Sequence, residues 1–550
     1  MTNSIAGFSI KKLLDKIDWK LLLFLMLFLN VKLAVKIPAI IIIYLLRFNF
    51  RFGFSLKNSR LPLFYLLIIG IAFIALLINR NYADANYLPL FFTGIVFWGL
   101  CLLAVHQVKL SVEGNSTEVT DRTILVFFVI NAVISFFNIA AIVWETGVIN
   151  PYTYQGEYQK YFIGTGDYIR GLTFDTSTTN AVLNAFGVVY FLDKKKPVML
   201  LVCMAVLLLT GSNFTNLILI FVLALLFIFK STKDQKSLIT ICVMFLVIFM
   251  VKISPQNNKY AFYSIENAFR APKPEAAAIA AVPAPVVLSQ EDIKRKAAQS
   301  YIDSVCAAAA KKQPVKAVVK TAPALPNYHG RILIAGPDIN KPPYLTPTDT
   351  TPDERRLLTF INAHKSSLPI SRQATFKEGV PGKVTGLLQT VHFLKYHPVK
   401  IIAGSGVGNF SSKLAFKATG LGLEGGYPAK FVYISKDFLS NHLDIYLNFF
   451  SKRNGLHSLT NSPFSVYNQL LAEYGLAGIA AFIIGYLGFF AKHYKTLTYG
   501  IPLLLLALAV FFIDYWFEQL SVIVFFELLL LLNIKETADL KLKPVSYGHK

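Results

Sequence analysis

The chain has 550 residues, 54% of them hydrophobic and 15% charged, and its mean hydropathy is +0.51. This composition is too apolar for a water-soluble globular protein and is typical of a polytopic membrane protein. The formal net charge of +23 indicates cytoplasmic anchoring, contact with anionic lipid, or an anionic substrate. No nucleic-acid module accompanies the basic residues, so we expect no nucleic-acid partner.

The four cysteines show no spacing of a disulfide framework or a metal site. Cys101, Cys203 and Cys242 lie in apolar runs, and Cys306 stands alone in a polar region. We therefore expect no metal and no cofactor. The N-terminal lysines and the run LLLFLMLFLN look like a signal peptide, but no small-residue cleavage site follows, which favours a retained first span.

Apolar runs predict an all-α polytopic fold with about twelve transmembrane helices. The runs lie at 20–31, 34–47, 61–78, 88–105, 123–143, 176–192, 197–211, 214–229, 237–252, 465–490, 498–513 and 518–533. The first two are shorter than the roughly 20 residues that cross a bilayer, so one bent element is the alternative there.

Lysine and arginine are concentrated near the ends of these runs. If twelve spans alternate, one side collects the basic groups at Lys11 to Lys20, Arg47 to Arg60, Lys194 to Lys196, Lys230 to Lys236, and Lys492 with Lys495. The positive-inside rule places that side in the cytoplasm together with both termini. Residues 144–175 and about 253–463 then face outward.

These features divide the chain into five parts. Residues 1–252 form an N-terminal bundle of about nine spans, and residues 464–533 form the C-terminal transmembrane helices. Between them lies one large periplasmic loop, whose part 253–381 is rich in Ala, Pro and Lys and predicted to be irregular. Its part 382–463 is predicted to be ordered and to contain amphipathic helices, and residues 534–550 form a cytoplasmic tail.

The ordered part of the loop begins with apolar residues at helical spacing: Val384, Leu387, Leu388, Val391 and Leu394. This stripe predicts a helix that lies on the membrane or on the bundle and ends before Pro398. The sequence GSGVGN at 404–409 lacks the spacing of a dinucleotide fingerprint. It predicts a tight turn, with a phosphate-binding nest of backbone N–H groups as the functional alternative.

Polar groups at the outer ends of two predicted spans are candidate substrate contacts. Arg170 heads the polar run RGLTFDTSTTNA, which continues into an apolar segment. It is either a headgroup anchor or a buried substrate contact. Asn213 lies in SNFTN between two apolar runs, which indicates either a hairpin turn or the lining of a cavity.

Acids and histidines near the membrane are candidates for acid–base roles. Glu473 enters a predicted span, where a charge is costly; it is either functional or a helix brace. Glu527 lies deeper in an apolar run and is predicted to be an internal hydrogen-bond partner. Among the loop histidines, His457 lies nearest the membrane entry, beside Lys452 and Arg453, and is the best candidate for a general base.

Four of these stretches together resemble the O-antigen ligase and polysaccharide polymerase superfamily of bacterial envelope glycosyltransferases. RGLTFDTSTTNA is similar to that family's arginine–glycine–asparagine motif after the fifth span, and LLTGSNFTN is similar to its LTGSRG stretch. GKVTGLLQTVHFLKYHPVKIIAGSGVGNF is similar to its GR…W…HP…G.G..NF pattern, and QLLAEYGLAG to its HN..LQ...E.G..G ending. The motifs occur in the family's order and at its topological positions.

Three positions depart from the family's motifs. Phe464 and Ser465 stand where His-Asn is expected, so the family's histidine base is missing there. Asn213 stands where the family usually carries arginine, and Lys383 stands where arginine is common. Lysine keeps the charge but loses the bidentate fork.

The resemblance implies a glycosyltransferase of the bacterial inner membrane that ligates or polymerises polyprenyl-diphosphate-linked glycans on the periplasmic face. The donor would be the lipid-linked glycan, the acceptor a lipid such as lipid A core, another glycan, or a protein, and no metal or nucleotide is implied. The predicted substrate contacts are Arg170, Lys383, Asn213, Lys452 and Arg453, and the predicted catalytic groups are His457 and Glu473, with His442 in reserve.

Two other functions share the same features. A transporter or flippase of lipid-linked anionic glycans would also have a polytopic fold and a basic cavity, although no inverted repeat is evident in the sequence. A catalytically inactive envelope assembly protein would account for the missing histidine.

Overall fold

The computed structural model describes residues 16–153, 165–254, 381–419, 427, 431–442, 445 and 462–542. Within these ranges the regular elements are all helical and no strand occurs. The predicted all-α class is confirmed for this part of the chain.

Nine α-helices of the described ranges precede the large loop. They are α1 (Trp19–Phe28), α2 (Leu33–Leu46), α3 (Phe64–Ile78), α4 (Tyr87–Gly114), α5 (Thr117–Thr146), α6 (Ser177–Asp193), α7 (Pro197–Leu209), α8 (Asn213–Phe229) and α9 (Lys233–Ile248). A short 3₁₀ helix at Gly171–Thr173 lies between α5 and α6.

The later helices belong to the loop and to the C-terminal region. They are α10 (Gly382–Tyr396), α11 (Pro398–Ala403), α12 (Lys413–Ala418), α13 (Lys436–Asn441), α14 (Val466–Ala480), α15 (Gly500–Val510), α16 (Trp516–Gln519) and α17 (Ser521–Leu542). A π-helical turn and a further helical turn extend α14 to Ala491.

Several helices are apolar enough to lie in a membrane. Four have the length to cross it: Tyr87–Gly114, Thr117–Thr146, Lys233–Ile253 and Val466–Ala491. The shorter apolar helices, of 10–17 residues, are α1, α2, α3, α7, α8 and α15. These helices indicate a membrane protein, in agreement with the composition.

The first two apolar runs form separate helices joined by a turn. Val31 N donates to the carbonyl of Thr173 at 2.9 Å, and Ser521 Oγ donates to the carbonyl of Leu29 at 2.9 Å. Lys36 is only 1% exposed, and its Nζ donates to the carbonyl of Phe28 at 2.7 Å. The alternative of a single bent element is therefore wrong.

Helix α17 lies at the centre of the bundle. Every residue from Val522 to Leu532 is fully buried, and the helix packs against α4, α5, α6 and α15. The predicted span 518–533 is wrong at its start, because Leu520 has a φ of +68° and separates α16 from α17. Glu527 accepts a hydrogen bond from the hydroxyl of Tyr65, which confirms the prediction of an internal partner.

One end of the bundle, here called the basic end, is held by ion pairs between helix termini. Arg47, which follows α2, lies 3.2 Å from the carboxylate of Asp18, which precedes α1. Lys194, which follows α6, lies 3.5 Å from Asp121 of α5 and also contacts Glu536 of α17. Five helices therefore present a terminus at this end.

The opposite end, here called the loop end, is held by hydrogen bonds to backbone carbonyls. Asn79, which follows α3, donates to Gly404 at 3.0 Å. Asn150, which follows α5, donates to Ile253 beyond α9 at 2.8 Å. These contacts and those of the basic end alternate along the chain, so consecutive helices run antiparallel between the two ends.

Candidate functional site

The loop end is organised around a break in helix α14. Gly475 has φ 65° and ψ −161°, so the helical hydrogen bonding is interrupted there. The carbonyl of Ala472 accepts from Ser405 N at 2.9 Å, and that of Glu473 accepts from Gly406 N at 3.0 Å. The glycine turn at 404–408 thus satisfies carbonyl groups that the break would leave unpaired.

The carboxylate of Glu473 occupies the nest formed by the same turn. Gly408 N donates to Oε2 at 2.8 Å and Phe410 N donates to Oε1 at 3.2 Å. Glu473 is fully buried. The nest predicted for a phosphate therefore holds a carboxylate of the chain itself, and two charge-assisted hydrogen bonds brace α14 against the loop.

The turn and the broken helix approach each other at two glycines. A Cβ on Gly404 would lie 2.2 Å from the carbonyl carbon of Glu473, and one on Gly475 would lie 2.4 Å from the carbonyl oxygen of Ile402. The φ values of +73° and +65°, with extended ψ, belong to a region that is essentially restricted to glycine. Both positions therefore require glycine for backbone conformation and for space.

Side chains of the α3–α4 connection hold the turn from the other side. Asn81 Nδ2 donates to the carbonyl of Ser405 at 3.2 Å, and the hydroxyl of Tyr87 donates to that of Val407 at 2.9 Å. Together with Asn79 on Gly404, these donors satisfy three carbonyls of the turn, those of residues 404, 405 and 407. The turn is thereby held by hydrogen bonds from two sides.

Lys383 lies at the start of α10 and is 8% exposed. Its Nζ donates to Ser462 Oγ at 2.9 Å and to the carbonyls of Phe464 at 2.5 Å and Ile513 at 2.9 Å. Burial lowers its pKa from 10.5 to about 7, opposed by the charge of Asp514. Because an ammonium group has three N–H donors, all are used within the protein, and this placement favours a structural role over a ligand contact.

Two further polar contacts tie α14 to the loop. Thr390 Oγ1 donates to Asn468 Oδ1 at 2.7 Å, which connects α10 to α14. The Glu518 carboxylate accepts from Gln469 Nε2 at 2.5 Å and from Leu414 N at 2.9 Å. Glu518 therefore holds the N-terminus of α12 beside α14, where the helix dipole favours a carboxylate.

Arg170 belongs to a turn that asparagines of α5 and α6 hold in place. Asn131 Oδ1 accepts from Leu172 N at 2.9 Å, and Asn180 Nδ2 donates to the carbonyl of Ile169 at 3.0 Å. Asn131 and Asn180 also bond each other at 2.9 Å. The backbone is thereby fixed while the side chain of Arg170 stays exposed.

The exposed guanidinium of Arg170 lies over the ring of Tyr168, 5.6 Å from its centroid. Among the described residues it has no carboxylate within ion-pair distance. The Arg170 side chain is therefore exposed and not buried, unlike the buried substrate contact that was one of the two alternatives. The charge remains available at the surface of the loop end.

Asn213 and Asn216 begin α8 beside this turn. Asn216 is 4% exposed, yet neither atom of its amide has a partner among the described residues, and the same holds for Asn213 Oδ1. Gly166 packs so closely on the backbone of Thr210 that an added Cβ would lie 2.6 Å from its carbonyl oxygen. The start of α8 therefore adjoins the Arg170 turn and has unused hydrogen-bonding capacity.

The charge of Asp175, which follows the Arg170 turn, reaches helix α12. Lys413 and Lys417 are one helical turn apart and only partly exposed. Burial lowers the pKa of Lys417 and Lys413 lowers it further, whereas the charges of Glu518 and Asp175 raise it. The described residues provide no ion pair for either lysine. The pair is a cationic site without a counter-ion in contact.

The sequence analysis missed Lys413, Lys417, Asp175 and Glu518. The i, i+4 spacing of the lysines after a serine N-cap was the available signal for α12. Glu518 follows an apolar run within FIDYWFEQLS, which was assigned to the connection and start of the last span. Nothing in the sequence indicated that segments more than 100 residues apart meet here.

His442 is fully buried among aromatic rings. Its Nδ1 lies 3.2 Å from Gln389 Oε1, so Nδ1 carries the proton, and no described residue forms a hydrogen bond with Nε2. Its ring centroid lies 5.3 Å from that of Phe410. Burial lowers the pKa of His442 to about 3, so the imidazole is neutral at physiological pH and closed off from a substrate hydroxyl.

The predicted residues His457, Lys452 and Arg453 lie outside the described residues. Phe464 and Ser465 lie directly before α14, where the carbonyl of Phe464 accepts from Lys383. No group of three or more metal-ligating side chains occurs among the residues that the structure describes.

The chain matches no family model, no curated protein sequence and no solved structure. The resemblance to the O-antigen ligase superfamily therefore rests on the four motifs and their order. What the fold defines is a helical membrane protein with a polar, partly cationic site at one end.

Proposed function

We propose that this protein is a membrane-embedded glycosyltransferase that ligates or polymerises polyprenyl-diphosphate-linked glycans at the periplasmic face of the bacterial inner membrane. The observation that carries the proposal is the cationic surface around the Arg170 turn. Arg170 is exposed on that turn, and the charge of Asp175, which follows the turn, raises the pKa of Lys417 on α12. Among the described residues neither Lys417 nor Lys413 forms an ion pair. Such a surface suits a diphosphate, whose leaving-group charge is stabilised by fixed cations.

The unsatisfied amides at the start of α8 support binding of a sugar beside the diphosphate. Asn216 offers a donor and an acceptor in a buried setting, and Asn213 offers an acceptor. Sugar hydroxyls supply the complementary groups. Asn213 thus keeps its predicted role as a substrate contact, with Asn216 added to it.

In the proposed reaction, an acceptor hydroxyl attacks the anomeric carbon of the donor. The bond from that carbon to the diphosphate oxygen breaks, and the polyprenyl diphosphate leaves with both electrons of the bond. The hydroxyl proton passes to a general base, for which His457 remains the proposal, with Lys452 and Arg453 beside it. Loss of such a base lowers a rate by roughly 10²-fold or more.

Two predicted roles are revised within this proposal. Lys383 and Glu473 are engaged by protein groups on every side that the structure describes. We assign both to holding the loop against α14, so that Lys417 takes the place of Lys383 at the diphosphate. His442 is too enclosed to serve as the base.

The twelve-span topology is part of the proposal. It is supported by the alternation of helix termini between the basic end and the loop end. It is also supported by the basic residues Arg47, Lys194 and Lys230 at the basic end, which the positive-inside rule assigns to the cytoplasm.

The test is the surface glycan profile of a strain in which the chromosomal copy is replaced by variants. Arg170→Ala and Lys417→Met should each lower transfer by roughly 10²-fold or more, as the loss of one fixed charge-stabilising group does, with unchanged membrane insertion. Arg170→Lys should restore part of the activity, because it keeps the charge but not the fork. Lys436→Ala, an exposed loop lysine on α13, is the matched control and should be silent.

The glycan profile of a deletion strain distinguishes a polymerase from a ligase. Loss of long chains with short ones retained identifies a polymerase, and accumulation of lipid-linked glycan with no attached chains identifies a ligase. A wild-type glycan profile of the deletion strain would contradict the proposal. Full activity of Arg170→Ala would instead show that the cationic surface is misassigned.

The break in α14 favours a second candidate, a transporter or flippase of lipid-linked anionic glycans. Interrupted helices line the substrate sites of many transporters. Here, however, the glycine turn of the same chain fills the break at Gly475. Lipid-linked glycan retained on the cytoplasmic face of the deletion strain would favour the transporter.

A further inference from the structure

Helix α10 exposes a stripe of apolar residues and buries several polar ones, together with Phe393 and Leu394 near its end. Its buried side includes the polar residues Lys383, Gln389 and Thr390. Its exposed side carries apolar residues and ends in a lysine: Val384, Leu387, Leu388, Val391 and Lys395. The predicted stripe is therefore present in the sequence positions expected, except Leu394, which faces the protein.

An exposed apolar stripe of this kind is unfavourable in water. Leu388 and Val391 are 56% and 51% exposed, and Val399 and Ile402 of the following helix α11 are 69% and 68% exposed. Contiguous apolar surface therefore marks contact with an apolar phase or a partner.

The position of α11 connects this surface with the lipid-facing sides of two apolar helices. The carbonyl of Ile402 packs on Gly475, and the next residue of α14, Leu476, is 54% exposed. Gly404, directly after α11, is bound by Asn79, and Leu77 at the end of α3 is 66% exposed. The apolar surface is thus continuous from α3 and α14 onto α11 and α10.

We infer that α10 and α11 lie in the membrane surface at the loop end, with the stripe from Val384 to Val391 and the side chains of Val399 and Ile402 in the boundary between headgroups and acyl chains. The occupant of this face is lipid. The inference concerns the membrane alone and is independent of the glycosyltransferase proposal.

The borders of the stripe fit this position. His392 and Tyr396 pair along one edge, with ring centroids 4.6 Å apart, and Lys395 lies at the end of the stripe. Lysine extends its amine to the headgroups while its carbon chain stays in the apolar layer, and aromatic residues with a polar group favour the same depth. The cation also suits an anionic headgroup.

In this position α10 contacts lipid on one side and the rest of the protein on the other. Its lipid-facing side holds it at the membrane surface, and its other side carries Thr390 to Asn468 and Lys383 to the segment before α14. The loop is thereby fixed at the level where the headgroup of a lipid lies.

Nitroxide labelling of the full chain tests the inference. The four cysteines are replaced by alanine, and single cysteines are introduced as Leu388→Cys and Ile402→Cys. Ile484→Cys, 74% exposed on the apolar side of α14, serves as the lipid control, and Lys436→Cys as the water control. The protein is reconstituted into vesicles of phosphatidylcholine with a minority of phosphatidylglycerol, and collisions with oxygen and with a neutral nickel complex are measured.

Labels at 388 and 402 should show a ratio of oxygen to nickel collisions well above that at 436 and close to that at 484. Nickel accessibility equal to that at 436 would overturn the inference, because the stripe would then face water. Protection from both reagents would overturn it as well, because another part of the chain or a second protein would then cover the stripe.

Discussion

At Lys383, a cation is surrounded by oxygen atoms that carry no full charge. Its three acceptors are one hydroxyl and two backbone carbonyls, and the negative charge that raises its pKa is that of Asp514. Hydrogen bonds offset only part of the cost of removing an ammonium group from water. The hydrogen bonds of Lys383 therefore join three segments of the chain, whereas the burial of the amine makes its charged form unfavourable.

This cost predicts a pH dependence of stability. The pKa of Lys383 falls from 10.5 in the unfolded chain to about 7 in the folded protein. Between these values the unfolded chain binds a proton that the folded protein has released, so stability rises with pH in this window. The contribution of Lys383 is at most about 1.4 kcal/mol per pH unit, and below about pH 7 it no longer changes.

Thermal unfolding in mild detergent, recorded from about pH 7 to about pH 10, measures the effect. Lys383→Met should flatten the rise in the unfolding midpoint, and Lys436→Met should leave it unchanged. An identical slope in wild type and Lys383→Met would show that Lys383 keeps its proton in the folded protein.

At the scale of elements, the glycine turn and the break in α14 depend on each other. The turn donates to the carbonyls that the break exposes, and the acid of α14 accepts from the turn. Neither arrangement is satisfied without the other, because buried backbone groups without partners are costly. The pair acts as a joint between the loop and the membrane helix.

Gly404→Ala and Gly475→Ala should therefore prevent correct folding. Each Cβ would overlap backbone atoms at 2.2–2.4 Å, and the positive φ alone costs roughly 1–3 kcal/mol. We expect a large loss of folded protein in size-exclusion chromatography after detergent extraction. Gly70→Ala on α3 has no atom within 4 Å of the added Cβ and should be neutral or slightly stabilising.

Wild-type yield and unfolding midpoint for both loop variants would contradict the joint. Loss in Gly70→Ala as well would indicate a general intolerance of the bundle to added volume. The comparison thus isolates the contact between α11 and α14.

Sequence periodicity predicted the helices and turns better than it predicted what each of them packs against. The stripe at 384–391 predicted α10 correctly, yet a spacing pattern does not distinguish lipid from protein as the apolar partner. The turn at 404–409 was predicted from its glycines, but its ligand, Glu473, lies 65 residues from Gly408. The lengths of the long helices were also underestimated, since α4 continues past position 105 to Gly114 on residues of mixed polarity.

The residues of the candidate site were predicted only where they stand out in the local sequence. Arg170 and Asn213 stand next to apolar runs, where polar residues are conspicuous in a sequence. Lys413 and Lys417 lie in a loop that is rich in lysine, and only the fold shows that the charge of Asp175 acts on Lys417. Long-range charge contacts carry no local signature.

At the scale of the whole molecule, alternation of the helix ends predicts the sidedness of the protein. A cysteine introduced as Lys436→Cys and a second variant with a cysteine at the C-terminus can be compared on a cysteine-free background. An impermeant thiol reagent applied to intact spheroplasts should label position 436 and not the C-terminus. The positive-inside rule supplies the reason, since the basic end gathers the cationic segments.

Labelling of the C-terminal cysteine without labelling at 436 would reverse the assignment. The catalytic proposal would then place the site at the cytoplasmic face. Labelling after lysis verifies that both cysteines are reactive.

The central position of α17 has a consequence for biosynthesis. The ribosome makes this helix several hundred residues after its neighbours α4, α5 and α6. Until α17 is made, the surfaces of α4, α5 and α6 that will contact it have no partner within the bundle. During that time these surfaces either contact lipid or pack against one another. The nascent bundle is thus completed from its axis, and a chain that stops before Ser521 lacks its core rather than its edge.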